Sequence, residues 1–314
     1  MCGTAPAGEL WIGDDAAAVT SPPGQLLLAA DAVVEGVHAD LSLVGLDDFG
    51  WKALASNVSD IAAMGGTALH ALCCVAGPPE TDLDLLYEGI AAAAAAYRVA
   101  VVGGDLANSP TLVVAVSVTG TTGAGNPVRR SGARPGDHVF VTGPLGSSSA
   151  GLRLLRREAA GGGSPDVEGV PNRRGADLGL VLPDWALRLV RAHRRPAARP
   201  AEGRAAREAG ATAMIDISDG LASELAHICT ASGTGVTLDH VPVAQGATMD
   251  EALGGGEDYE LLFTAADAGV VRAQFERQDL REPLALGRVT SSTGELLLGG
   301  RPLDRSGFQH RWLD

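Results

Sequence analysis

Residues 99–123 read VAVVGGDLANSPTLVVAVSVTGTTG, and this stretch decides the fold class. Val99–Asp105 is a short apolar run closed by two glycines and a carboxylate. Thr111–Gly123 is rich in β-branched residues at alternating positions. Both read as strands. Immediately upstream the period changes. Residues 84–99, DLLYEGIAAAAAAYRV, predict a helix carried by alanine propensity. Residues 68–77, ALHALCCVAG, predict a further strand. Asp47–Gly65, DDFGWKALASNVSDIAAMG, predicts a helix with Gly65 near its C-terminal end. Gln25–Asp31, QLLLAAD, predicts a buried strand ending in a carboxylate. The first 120 or so residues therefore alternate strand and helix, the signature of a mixed α/β fold.

The chain has 314 residues, which sets a soft prior of two domains at roughly 150 residues each. The glycine-, proline- and arginine-rich stretch Gly123–Asp137, GAGNPVRRSGARPGD, is the natural boundary. It gives an N-terminal domain of residues 1–128 and a C-terminal domain of residues 129–314. In the second domain HVFVTGPLG reads as a strand entering a turn, and SSAGLRLLRREA as a helix. Residues 161–177 read as a surface loop. PDWALRLVRAH predicts a helix, TAMIDISD a strand, GLASELAHICTAS a helix directly after it, and EDYELLFTAAD another strand.

Bulk properties exclude several classes. Hydrophobic residues make up 46% and charged residues 20%, enough for a packed core. The net charge of −14 argues against a nucleic-acid partner. None of the four cysteines has C-x-x-C spacing, and Cys73 and Cys74 sit in an apolar run, so neither a disulfide framework nor a thiolate metal site is expected. No apolar run approaches the ~18 residues of a membrane span, and MCGTAPAGEL lacks the layout of a signal peptide. A soluble, cytoplasmic protein without a membrane partner is the expectation.

The chemistry lies in where the aspartates fall. Asp31 closes LLLAAD, Asp105 closes VAVVGGD, Asp216 and Asp219 close AMIDISD, and Asp14 and Asp15 sit in an I-G-D-D turn. Ligands of open α/β sheets bind at strand C-termini. Carboxylates gathered there carry a desolvation cost unless a cation offsets it, and an all-oxygen donor set suits hard ions such as Mg²⁺ or Ca²⁺. Each aspartate alone could equally cap a turn or a helix. Lys52, Ser56 and Asp60 recur at i, i+4 and i+8 on an otherwise apolar helix, either as a solvated stripe or as a face toward a polar cavity. Lys52 is the only lysine of the chain and does not sit in G-x-x-x-x-G-K-[ST]. A Walker-type loop is thereby excluded, and so is a protein-kinase lysine. Phosphate charge would have to be met by metal ions, arginine and backbone N–H groups. His38, after DAVVEGV, is either a candidate substrate contact or a satisfied structural histidine.

Read in order, IGDDAAAV, DAVVEGVH, KALASNVSDIAAMGG, VVGGD, RSGARPGD, IDISDGLASELAHI and GGGEDYELLF resemble the thiamine-monophosphate kinase family, in the superfamily named for aminoimidazole ribonucleotide synthetase. The match runs from residue 12 to about residue 263, with a weaker one at SGFQHRW. The resemblance implies a two-domain α/β (α+β) fold whose N-terminal ATP- and metal-binding domain completes a β-barrel across a homodimer. The C-terminal domain would be an α/β sandwich completing the site. The implied reaction is direct in-line transfer of phosphate from ATP to thiamine monophosphate, with no catalytic residue beyond metal ligands. Carried over, Asp15, Asp31, Asp60, Asp105, Asp216 and Asp219 would hold several Mg²⁺ ions. Gly104, Asp105, Arg130, Ser218 and Tyr87 would contact the nucleotide. His38, Glu257 and Phe308 would contact the thiamine phosphate.

Three departures stand against the family pattern. Ala29 and Ala30 occupy positions where Ser or Thr usually precedes the aspartate. Only about a dozen residues precede the GDD turn, where the family carries a helix. LANSP follows GGD where relatives have threonines and an arginine. Two alternatives stay open: a sister enzyme acting on another small phosphate ester, and a non-catalytic dimer that binds nucleotide or thiamine diphosphate.

Overall fold

The computed structural model describes residues 5–12, 15–160, 182–304 and 307. It divides into two compact units, Met1–Ile61 with Gly66–Asn126 and Leu155–Leu182, and Ala62–Gly65 with Pro127–Leu154 and Pro183–Asp314. The loop predicted at 161–177 lies outside the described residues.

The first unit is a four-stranded sheet with two helices. Its strands are β1 (Leu26–Val34), β2 (Thr67–Gly77), β3 (Ala100–Asn108) and β4 (Val113–Thr121), in the order β1-β4-β2-β3. The helices are α1 (Leu46–Ala63) and α2 (Leu83–Tyr97). Alternation sorts the strand residues. Leu27, Val33, Ala71, Cys73, Val75, Val114, Val116 and Val118 are buried on one face. Leu26, Leu28 and Leu72 remain exposed on the other, Leu28 at 72%. The sheet is open, and β1 and β3 are its edges. The helices meet at two glycines. A Cβ on Gly89 would lie 1.7 Å from the Asp47 carbonyl oxygen, and one on Gly50 2.2 Å from the Leu86 oxygen.

Two predicted strand ends move. β1 runs three residues past Asp31, because β4 continues the ladder to Val34↔Val113. β3 runs past Asp105 to Asn108, because β2 pairs with it as far as Gly77↔Asn108. Both aspartates are therefore inside edge strands, where one side stays in solvent.

The second unit is a seven-stranded mixed sheet. Its strands are β5 (His138–Val141), β6 (Ala213–Asp216), β7 (Gly235–Leu238), β8 (Leu261–Ala265), β9 (Leu284–Thr290), β10 (Leu296–Leu298) and β11 (Arg301–Pro302), in the order β11-β10-β7-β9-β5-β8-β6. Six helices accompany it: α3 (Ser147–Ala160), α4 (Asp184–Arg194), α5 (Pro200–Glu208), α6 (Leu221–Ser232), α7 (Met249–Gly254) and α8 (Ala268–Arg277). The sheet is apolar on both faces. Val139, Val141, Ile215 and Leu262 pack with Leu221, Leu225 and Ile228 of α6. Their alternates Phe140, Met214, Leu261 and Phe263 pack with Ala205 and Ala206 of α5 and with Val271 and Phe275 of α8. Phe140, Phe263 and Phe275 stack in sequence at centroid distances of 5.1 and 6.1 Å. The strand predicted to start at Glu257 starts only at Leu261, since Glu257 and Tyr259 have positive φ.

Candidate functional site

In the first unit, Asp31 alternates onto the same face as Leu27 and Val33, and its N–H donates to Asn57 Oδ1 of α1 at 2.9 Å. Solvent still reaches its carboxyl. Packing around it pushes the carboxyl above the usual carboxylate range, and the nearby His38 imidazole opposes that rise. The chain after β1 turns tightly. The His38 N–H donates to the Val34 oxygen at 2.9 Å. The Val34 N–H donates to His38 Nδ1 at 3.1 Å. Because Nδ1 accepts, the neutral ring carries its proton on Nε2 and offers it as a donor.

Lys52 is wholly buried, and its Nζ donates to the His38 carbonyl oxygen at 3.2 Å. Ser56 is buried beside it. The stripe on α1 is therefore not a solvated face: the lone lysine braces the His38 turn. Asp60, one turn further on, is half-buried. Asp105 lies exposed on β3, opposite Cys74. Gly104 precedes it where a Cβ would stand 1.9 Å from the Cys73 oxygen, so only glycine lets β3 approach β2 there. Tyr87 is half-buried in α2 and Asp15 is exposed in a bend. Asp14 lies outside the described residues. Asp31 and Asp105 occupy opposite edge strands, with two strands between them. At ~4.8 Å per strand they stand about 14 Å apart, too far to share one ion within this sheet.

The second unit builds a tighter constellation. Asp216 ends the edge strand β6 and is buried. Past it the chain continues an irregular ladder with residues 257–260. The Ile217 N–H donates to the Glu260 oxygen at 2.8 Å, the Tyr259 N–H to the Ile217 oxygen at 2.9 Å, and the Glu257 N–H to the Ser218 oxygen at 2.7 Å. These bonds hold Glu257 and Tyr259 at φ of 66° and 50°, conformations that cost non-glycine residues about 1–3 kcal/mol each and concentrate at functional sites. Asp258, between them, accepts the N–H groups of Gly146 and Ser148 at 2.6 and 3.0 Å, satisfying the N-terminus of α3. Burial raises its carboxyl to about 6, against the pull of those N–H donors. Glu260 receives the Arg199 guanidinium through Nε at 3.0 Å and Nη2 at 2.6 Å. His193 is buried, with Nδ1 3.1 Å from Ser148 Oγ and 3.7 Å from Glu257 Oε2.

Glu224, which sequence reasoning passed over, bonds directly to the turn after Asp216. It is 2% exposed, and its Oε1 accepts from the Ser218 N–H and hydroxyl, each at 3.3 Å, and from the Asp219 N–H at 3.0 Å. Its Oε2 is buried with no hydrogen-bond partner. Burial first, then the charges of Asp219 and Asp216, raises its carboxyl to about 7. The acid one turn into GLASEL, directly after the ISD turn, was the signal that could have found it. Asp258 was also passed over, although it sits inside the quoted GGGEDYELLF.

Arg130 is exposed in the loop before β5, where its backbone oxygen accepts from Ser232 Oγ at 3.5 Å. Phe308 lies outside the described residues. The structure thus brings together Asp216, Ser218, Asp219 and Glu257 in one unit, and Asp31 and His38 in the other. Among the described residues no three His, Cys, Asp or Glu side chains converge closely enough to hold a metal ion. No helix among them is long and apolar enough to cross a membrane.

A strand-rich half bearing acids on its edges and a mixed-sheet half bearing an ISD turn define a class of two-domain protein. Residues 13–122 match the family model of the AIR synthase related protein N-terminal domain, and residues 134–298 that of the C-terminal domain. Thiamine-monophosphate kinase of Bacillus subtilis is 37% identical over 272 residues, 82% of this chain and 78% of that one. The enzyme of Escherichia coli is 33% identical over 322 residues, 96% of this chain and 92% of that one. Among solved structures, thiamine-monophosphate kinase from Stenotrophomonas maltophilia superposes with a TM-score of 0.79 at 31% identity, covering 94% of this chain and 92% of that one. The complex of AaThiL with AMPPCP and TMP superposes at 0.76 with 32% identity, covering 96% and 92%. The chain belongs to the thiamine-monophosphate kinase family.

Proposed function

We propose that the protein transfers the γ-phosphoryl group of ATP to the phosphate of thiamine monophosphate, giving ADP and thiamine diphosphate. The observation that carries this reading is the Asp216–Ser218–Asp219 turn, locked to the Glu257 loop, in a chain of a kinase family whose relative AaThiL is known in complex with AMPPCP and TMP. One phosphorus–oxygen bond to ADP breaks, and one forms to an acceptor oxygen that is already anionic near neutral pH. No strong general base is therefore required of the protein. Its task is to bring two polyanions into line.

The donor set fits a hard divalent cation. The acids are carboxylates only, and Glu224 Oε2 stands buried and unpartnered beside Asp216 and Asp219. Asp15, Asp31, Asp60, Asp105, Asp216 and Asp219 are the residues that would hold Mg²⁺. Such ions, when bound, offset the charge of the phosphates and of the in-line transition state. The protein's own groups do the rest. Gly104 and Asp105 would contact the nucleotide, with Ser218, Arg130 and Tyr87 as further contacts. His38 offers its Nε2–H to the acceptor phosphate, and Glu257 and Phe308 complete the acceptor's contacts. Ala29 and Ala30 offer no hydroxyl, so β1 would contribute the Asp31 carboxylate alone.

Residues 1–128 would serve as the nucleotide, metal and dimerisation domain and residues 129–314 as the domain completing the site. The exposed Leu26, Leu28 and Leu72 on an open sheet support a homodimer in which a second copy closes the sheet into a barrel. The cytoplasm, where ATP is made, is the proposed location.

A coupled ADP-release assay tests the activity. ADP should appear only with thiamine monophosphate and Mg²⁺ together. Binding of both ligands without release in Mg²⁺ would favour the non-catalytic alternative, and release with a different phosphomonoester but not thiamine monophosphate would favour a sister enzyme.

A further inference from the structure

Glu224 is a carboxylate that neither core packing nor helix capping explains. It sits in the first turn of α6, whose cap residue is Gly220, with no side-chain cap bond. An acid in the first turn that serves a helix complements its dipole or reaches back to the N–H of the cap residue, here Gly220. Glu224 instead reaches back out of the helix to the Ser218 and Asp219 amides and to the Ser218 hydroxyl. Its second oxygen is left buried without a partner, an arrangement that costs stability and that a purely structural position would replace with an apolar side chain. The same turn is fastened on its other side by the Glu257 N–H on the Ser218 oxygen. The turn is thus held from one side by a side chain and from the other by backbone.

We propose that Glu224 is a positioning residue for phosphate transfer: its Oε1 fixes the direction of the Ser218 hydroxyl and of the Ser218–Asp219 backbone. This rests on the reading of Ser218 as a nucleotide contact and Asp219 as a cation ligand. The bond from Ser218 Oγ to Glu224 commits the hydroxyl proton inward. The oxygen's remaining lone pairs are then the part offered to the ligand side. Without the carboxylate the hydroxyl can rotate and the Asp219 amide loses its acceptor.

The test uses the full-length protein in three variants, Glu224→Ala, Glu224→Gln and Glu224→Asp. It reads steady-state kinetics and, separately, calorimetric binding of a non-hydrolysable ATP analogue with Mg²⁺. Glu224→Ala should weaken analogue binding about tenfold and lower kcat up to about 100-fold, the range typical of residues that orient a site from behind. KM for thiamine monophosphate should stay within twofold. Glu224→Gln still presents Oε1 as an acceptor and should recover both quantities to within about fivefold. Glu224→Asp keeps the charge but is one methylene too short, and should behave like the alanine variant. It also stands in for that variant should alanine fail to fold. Wild-type analogue affinity and turnover in Glu224→Ala, or in Glu224→Asp where it stands in, would overturn the proposal. So would a Gln variant as impaired as the Asp variant. If the wild type does not phosphorylate thiamine monophosphate, the proposed function fails instead, and the analogue-binding arm still decides the role of Glu224.

Discussion

Asp258 is held by two backbone N–H donors from Gly146 and Ser148, yet its carboxyl sits at about 6 because burial outweighs those bonds. Its ordinary value is 3.8. Between these two values the folded protein binds more protons at this site than the unfolded chain does, so stability falls as pH rises through the window and then levels off. That rise corresponds to about 3 kcal/mol. Asp258→Asn retains an acceptor for the α3 N-terminus and cannot titrate. Relative to that variant, the wild type should lose thermal stability from about pH 4 to pH 6 and run parallel to it above pH 7. A Tm difference that does not change across pH 4–7 would contradict the assignment. The neighbouring left-handed residues Glu257 and Tyr259 are the kind of feature a sequence does not announce. GGGEDYELLF could be read as a motif, but its backbone strain comes from bonds to Ile217 and Ser218, some forty residues earlier. Lys52 is a similar case. Its context, FGWKAL, shows that it is not a Walker lysine. Its burial against the His38 carbonyl depends on how α1 packs.

At the scale of elements, the segments with strong periodicity were legible. The helix predicted at 47–65 is α1 at Leu46–Ala63, and the alanine-rich helix is α2 at Leu83–Tyr97. TAMIDISD contains β6, and GLASELAHICTAS contains α6. The strands carrying Asp31 and Asp105 were found, but their ends were not. Where a strand stops is set by how far its partner pairs, and β4 and β2 pair beyond both aspartates. α5 escaped a sequence reading because it is only nine residues long and carries Gly203 in its interior, although Pro200 at its start favours a helix. Packing decides it instead: a Cβ on Gly203 would lie 2.2 Å from the Ala62 oxygen, so this helix needs a glycine to sit where it does. The candidate site was legible wherever chemistry shows in residue type, as at Asp216, Ser218 and Asp219. Glu224 was missed because its importance lies in direction, not in identity.

For the whole molecule, the open sheet with Leu26, Leu28 and Leu72 exposed carries a consequence for activity, since Asp31 and Asp105 occupy its two free edges. If a second copy covers that face, Leu28→Glu should convert the protein to a monomer in light scattering and lower kcat more than tenfold, with the far-ultraviolet dichroism unchanged. A fully active monomer would show that the edges work alone. The central claim is that this acidic, single-lysine chain moves a phosphoryl group directly from ATP to thiamine monophosphate. It is tested most directly by following the reaction with phosphorus NMR, in the wild type and in Asp60→Asn and Asp216→Asn, with excess Mg²⁺. The account predicts paired diphosphate signals of thiamine diphosphate growing in step with ADP in the wild type. Both folded variants should fall by about 1,000-fold or more, roughly 4 kcal/mol of lost transition-state stabilisation. Near-normal product formation in either variant would contradict it.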